Sequence, residues 1–250
     1  MTLLTTQNAK TIKGEKFGFA TGILYMAPYT IAGKFNMCPM AEKAQCHKAC
    51  LYTAGRGKFN NVQQGRIRKA LYFQNDYEGF MNELASDINR FVNRARKENV
   101  IPLIRLNGTS DVLFERKGFT LNEKIAKRIK KTAGYYENMM SLFPDVQFYD
   151  YTKIAGRFDK QLPSNYDLTF SYSGVETYKK QVEHALKHNA RIAVVFRNEK
   201  DIPAEFLGKK VIGGDDTDIR HIEPQNTIVA LIAKGDGKKD TSGFVVGELA

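Results

Sequence analysis

The apolar and polar positions divide the chain into short apolar runs separated by longer amphipathic ones. FGFATGILYM (17–26), IPLIRLN (101–107), VQFYDY (146–151), YDLTFS (166–171), RIAVVF (191–196) and TIVALIA (227–233) are short, apolar and rich in β-branched and aromatic residues. They read as six strands, with KKVIGG (209–214) a shorter candidate. Residues 62–97 read as one long helix or two successive ones. Phe80, Leu84, Ile88, Phe91 and Val92 fall at spacings of three and four there, giving one apolar face. Residues 120–143 predict a helix ending before Pro144, and residues 175–188 an amphipathic helix burying Val182, Ala185 and Leu186. AEKAQCHKACLY (41–52) has helical composition, with Pro39 suitably placed near a helix start. GRGKFNN (55–61) is a basic loop.

Buried strands taking turns with helices argue for one α/β domain over residues 1–250 with a mainly parallel sheet. A partial (β/α)6 barrel fits the six main strands best, and an open doubly wound sheet is the alternative. In such architectures ligands collect at the carboxyl ends of the strands. The residues just past those ends are Asn107 to Asp111, Thr152 and Lys153, Ser171 to Ser173, Arg197 and Asn198, Asp215 to Asp218, and Lys234. Helix capping accounts for part of this polarity. Its recurrence at every strand end favours a polar site on that face. Asn107, Thr109, Ser110, Asp111, Lys153 and Ser171 are the candidate cofactor-binding residues, Lys153 being free to meet a carboxylate or phosphate. Arg105 lies inside a strand, where an unpaired charge is costly, and is expected to pair with Asp150 or Asp111.

The net charge of +11 changes the picture because it is uneven. Residues 1–100 carry 15 Lys and Arg against 7 Asp and Glu, while residues 101–250 carry 23 against 20. The excess is densest from Lys34 to Lys69, and Arg56, Lys58, Arg66, Arg68 and Lys69 are its candidate contacts to nucleic acid or a nucleotide. A solvated basic surface is the competing reading. The N-terminal stretch MTLLTTQNAK lacks the pattern of a secretory signal, and no apolar run is long enough to span a bilayer. A cytoplasmic setting is therefore expected, without membrane association.

All three cysteines, Cys38, Cys46 and Cys50, fall within thirteen residues of that basic region. In a reducing compartment such a cluster points to metal binding or catalysis rather than disulfides. On a helix Cys46 and Cys50 would share a face, and the loop back to Cys38 is long enough to bring in a third sulfur. The metal-binding loop is placed at residues 36–57. One use is a structural zinc closed by His47, His184, His188 or His221. The other is a [4Fe–4S] cluster on three thiolates, which leaves one iron open to a small ligand. His184 and His188, four apart on one helix, are a separate weak metal candidate. GRGKF (55–59) and KGDGKKDTSG (234–243) lack the spacing of a P-loop, and the second reads as a mobile glycine-rich segment. DDTD (215–218) lacks the calcium-loop pattern and reads as a turn.

Three cysteines in the loop after the first strand of a six-stranded partial barrel resemble the radical S-adenosylmethionine superfamily. There the open iron binds S-adenosylmethionine. The spacing here is C-x7-C-x3-C rather than C-x3-C-x2-C, and RLNGTSD (105–111) stands where a glycine-rich segment is usual. A second resemblance covers nearly the whole chain. NMCPMA (36–41), CLYTAGRG (50–57), RLNGTSD (105–111), FYDYTK (148–153), DLTFSYS (167–173), AVVF (193–196), GGDDTD (213–218) and KDTSGFV (239–245) are similar to the bacteriophage gene product 88 domain family. That resemblance implies a phage-encoded protein acting in the bacterial cytoplasm.

Together these readings give an iron–sulfur, radical S-adenosylmethionine-type enzyme acting on a nucleotide or nucleic acid. The rivals are a non-enzymatic nucleic-acid-binding protein with a structural zinc and a phage factor that binds a host protein.

Overall fold

The computed structural model describes residues 1–6, 14, 16–33, 35–50, 52 and 54–247. Lys34, the start of the expected basic field, and Leu51 and Thr53 of the cysteine segment lie outside the described residues. The chain order is β1 (Leu4–Thr5), β2 (Phe19–Leu24), α1 (Asn60–Asn75), α2 (Tyr77–Lys97), β3 (Ile101–Arg105), β4 (Phe119–Leu121), α3 (Glu123–Ile129) and β5 (Gly134–Tyr136). It continues with α4 (Met139–Leu142), β6 (Gln147–Thr152), β7 (Tyr166–Ser171), α5 (Lys179–Lys187), β8 (Ile192–Phe196), β9 (Glu205–Phe206), β10 (Lys209–Gly213) and β11 (Ile228–Ile232).

All six expected strands form, and they lie side by side in chain order. The sheet has nine strands in the order β1-β2-β3-β6-β7-β8-β11-β10-β9. Every pairing from β2 to β10 is parallel, and only β1 and β9 pair antiparallel to their neighbours. It is thus a mixed, mostly parallel α/β sheet with edges at β1 and β9. Side chains alternate across it. Ile104, Phe148, Leu168, Phe170, Ile192, Val194, Ile228 and Ala230 are buried with the apolar stripes of α2 and α5. The stripe read from Phe80, Leu84, Ile88, Phe91 and Val92 is buried as expected.

The opposite face is covered differently. The β10–β11 connection runs back across the sheet, because β10 lies outside β11. A right-handed parallel crossover in that direction must pass over the face away from the helices. Ile219 accordingly packs with Leu103, Tyr149 and Phe19 there.

Of the alternatives the sequence left open for residues 62–97 the second holds, and two other expectations are corrected. Residues 62–97 form two helices, parted at Asp76, whose carboxylate accepts from the Gly79 N–H at 2.9 Å and caps α2. Residues 120–143 are not one helix. Lys130 adopts a left-handed conformation (φ 57°) that ends α3, and Gly134 at φ 138° leads into β5, which pairs antiparallel with β4. The aromatic pair Tyr135 and Tyr136 was the local signal for a strand. The cysteine segment is a series of turns rather than a helix, since Gln45 sits at φ 54° and breaks the helical run.

The KGDGKKDTSG stretch is not a loose tail either. Residues Gly235–Lys239 form a 3-10 turn, and Gly237, Asp240 and Val245 are buried. β7 and β8 share only two paired positions before they part. Val246 then bridges Phe196 in parallel on the side that β7 has left. The Arg197 guanidinium secures this insertion by donating to the carbonyls of Lys238 (2.7 Å) and Asp240 (2.6 Å). Among the described residues no helix is long and apolar enough to cross a membrane. Replacing Arg197 with Met orphans those carbonyls, and urea denaturation is expected to show a loss of about 1.5–3 kcal/mol; an unchanged midpoint would mean the insertion is held by its apolar contacts alone.

Candidate functional site

The cysteine loop lies across the carboxyl ends of the parallel strands, pinned to the ends of β3 and β7. At β3 the Asp111 N–H donates to Met37 O at 2.8 Å, and the Cys38 thiol reaches Thr109 O at 3.7 Å. Past β7 the Ser173 hydroxyl donates to Ala44 O (2.8 Å) and the Thr177 hydroxyl to Lys43 O (2.7 Å). On the far side Arg66 of α1 donates to Tyr52 O at 2.9 Å and lies over the rings of Tyr25 and Tyr52. Gly108 is required by close approach: a Cβ there would stand 2.8 Å from Leu24 O and 2.6 Å from the Tyr25 ring.

The three thiols share one electrostatic environment. Burial pushes all three up, so the free thiols hold their protons. Cys38 is raised further by Asp111, Cys50 and Cys46. Lys153 pulls Cys46 and Cys50 down, and Arg66 also acts on Cys50. Burial lowers Lys153 in turn, while Cys46, Asp111, Cys50 and Cys38 draw it back up. The Cys46 thiol points to Ala41 O at 3.8 Å, and Cys50 Sγ accepts from the Tyr52 N–H at 3.4 Å. Among the described residues the three sulfurs do not form a group all within 4.8 Å of one another, as the donors of Asp159, His184 and His188 do. His47 Nδ1 is 3.1 Å from Ala41 O.

Beneath the loop the expected polar residues form a buried framework. Asn107 takes the Ser110 hydroxyl (2.9 Å) and Val112 N–H (2.8 Å) on its carbonyl oxygen, and donates to Val112 O and Asp150. Thr109 donates to Met26 O at 2.6 Å. Asp111 accepts from the Thr152 hydroxyl (2.9 Å), the Lys153 N–H (2.8 Å) and Arg157 (2.9 Å). Lys153 spends its three N–H bonds on Ser171 O, Ser171 Oγ and Tyr172 O, each at 3.1 Å, beneath the Phe244 ring. It is therefore a fixed counter-charge to the thiols, not the free ligand contact that its position suggested.

Arg157, Glu115 and Tyr166 went unnoticed in the sequence. Arg157 is fully buried, bonded to Asp111, Glu115 (2.7 Å) and the Tyr166 hydroxyl (2.8 Å). Tyr166 donates onward to Asp150 at 3.0 Å. Nothing local marks these residues, because each depends on partners from another strand end. Arg105 pairs with Asp150 as expected, at 3.9 Å, and lies over the Tyr151 ring.

The basic patch divides in two. Arg56, Lys58 and Arg68 are exposed. Arg66 is tied to Tyr52, and the Lys69 ammonium donates to Leu3 O at 2.6 Å, with burial lowering it to about 8.

The model of the gene product 88 family matches residues 2–247. The chain belongs to the gene product 88 family. Neither the curated proteins nor the solved structures contain a match. In this gene product 88 chain RLNGTSD, FYDYTK and DLTFSYS are the strand ends that build the framework under the cysteines.

One titration follows. Burial raises the Asp150 carboxyl to about 6, against the opposing pull of Arg105 and the Asn107 N–H. An acid with a raised folded-state pKa favours the fold while protonated. Its contribution is full below the unfolded value of about 3.9 and is lost as pH rises through about 6. Carboxyl 13C NMR is expected to show Asp150 titrating near there, and Asp150→Asn to flatten stability between those limits. A carboxyl shift that is complete by pH ~4 contradicts the assignment.

Proposed function

We propose that the protein is a phage-encoded iron–sulfur protein of the radical S-adenosylmethionine type, acting in the host cytoplasm on a nucleotide or nucleic acid. The supporting observation is the donor set itself: three partly buried thiols from one loop, beside the Lys153 ammonium, above the carboxyl ends of a parallel sheet. The six parallel strands follow chain order, the order a partial (β/α)6 barrel requires.

The donors fit a cluster better than a single ion. Thiolates around one tetrahedral zinc, each about 2.3 Å from the metal, stand about 3.8 Å apart. Among the described residues the three sulfurs do not all lie within 4.8 Å of one another, which is wider than that tetrahedral spacing. Cys38, Cys46 and Cys50 would hold it and leave one iron open. Bound there, a [4Fe–4S] cluster supplies one electron to a sulfonium such as that of S-adenosylmethionine.

The chain's own residues set the conditions around it. Lys153 and Arg66 offset the negative charge of the thiolates. The framework from Asn107 to Asp111 fixes the floor of the site, and its hydrogen bonds keep the loop seated against β3. Exposed Arg56, Lys58 and Arg68 attract a phosphate-bearing substrate, with an affinity that falls with salt.

The test is anaerobic purification with a visible spectrum and metal analysis. Broad absorption at about 400 nm with about four irons and four sulfides per chain is expected. A colourless protein holding one zinc refutes the cluster and favours a zinc-stapled nucleic-acid-binding protein. Cys50→Ala should abolish metal retention. Loading must also expel the protons that burial keeps on the thiols, so it is expected to weaken as pH falls, with proton release measurable on reconstitution.

A further inference from the structure

A second group of metal-ligating side chains lies outside the cysteine site. Residues Ala155–Arg157 form a short turn after β6, and Asp159 follows it. α5 packs against this turn, and its Gln181 side chain accepts from the Ala155 N–H at 2.9 Å. His184 and His188 lie three and seven positions beyond Gln181, so the same helical face carries them towards Asp159. His184 Nε2 is 2.5 Å, and His188 Nε2 3.0 Å, from the same oxygen, Asp159 Oδ1. The two imidazoles stack with centroids 5.1 Å apart.

Two imidazole nitrogens converge on one carboxylate oxygen, so three ligand atoms of the kind that hold transition ions already face one another. A cation among the three donors satisfies them with both rings neutral. Around a tetrahedral ion with bonds of about 2.0–2.1 Å, neighbouring donors stand about 3.3 Å apart. The present contacts therefore need to open by less than an ångström. All three side chains are partly exposed, at 40%, 35% and 48%, and have room to do so.

We propose that Asp159, His184 and His188 form a binding site for a borderline divalent transition ion of the zinc class, with the remaining coordination completed by water. Two imidazoles and one carboxylate select zinc, cobalt or nickel over magnesium and calcium, which prefer all-oxygen shells. The ion clamps the turn after β6 to α5. That turn carries Arg157, the buried partner of Asp111, so the clamp stiffens the floor beneath the cysteine loop from outside. The site is independent of the cysteine-bound centre.

The test uses the full-length chain after chelator treatment, titrated with Zn2+ by calorimetry and followed by thermal melting. The wild type is expected to bind one more zinc per chain than His184→Ala/His188→Ala, and only the wild type gains Tm from that ion. Asp159→Asn should weaken the site without abolishing it. Because the three side chains are partly exposed, these variants are expected to keep the fold, and anaerobic iron and sulfide content should match the wild type. Equal zinc stoichiometry and equal melting shifts in wild type and double variant overturn the proposal. Binding of Mg2+ as tight as that of Zn2+ overturns the assignment of ion class. Loss of cysteine-bound iron with the histidine site intact would refute only the iron–sulfur reading.

Discussion

Asp111 joins the two halves of the candidate site through opposite ends of one residue. Its carboxylate, buried at the end of β3, gathers the Thr152 hydroxyl, the Lys153 N–H and the Arg157 guanidinium from the end of β6. Its own N–H holds Met37 O, one residue before Cys38. The side chain thus sets the spacing of two strand ends while the backbone seats the cysteine loop on them. Arg157 offsets the cost of burying that carboxylate and shares its charge with Glu115. Breaking a pair this deep costs about 3–5 kcal/mol in general, because the remaining charge stays in a medium that solvates it poorly. The position of Cys38 therefore rests on electrostatics two strands away.

The same burial acts in the opposite sense on the sulfurs. Removing three thiols from water favours their neutral forms, and Asp111 adds to this at Cys38 and Cys46. Lys153 works against it, but its ammonium is itself desolvated, held in place by Ser171 and Tyr172 and drawn back towards its charged form by Asp111 and the cysteines. A lysine held by three acceptors beside three protonated thiols is an incomplete charge balance. A cation centre bound there would turn the thiols into thiolates and add their charge to that of Asp111 beside the lysine.

How much of this the sequence disclosed depends on the range of the interaction concerned. The six strands were legible because each is a short, mostly apolar run with the majority of its residues buried. The apolar stripe of α2 was legible for the same local reason. The helix expected over 120–143 failed because helical composition masks a break made by single residues. Lys130 and Gly134 redirect the chain there through their own φ angles. Gln45 does the same in the cysteine loop, where a helix would have fixed Cys46 and Cys50 on one face. The convergence of Cys38, Cys46, Cys50 and Lys153 followed from strand-end logic, but the role of Lys153 did not. Its three acceptors belong to β7 and the residue after it. Arg157 was silent for the same reason, since a lone arginine in a turn acquires meaning only from carboxylates more than forty residues earlier.

The handedness of parallel crossovers decides which end of the sheet remains for chemistry. α2 and α5 occupy one face, and the reversed step from β10 to β11 sends residues 214–227 over the other. Ile219 packs there on Phe19, Leu103 and Tyr149, which lie at the amino end or middle of their strands. Arg105 and Tyr151 lie two residues further along the same strands, towards the cysteines, with Arg105 stacked on the Tyr151 ring. The apolar plug therefore covers the lower part of that face, and polarity increases towards the carboxyl end. The inserted segment 243–246 enters at that end too and carries Phe244 onto Lys153. Helices, plug and insertion together direct the polar side chains of the sheet towards the cysteine loop.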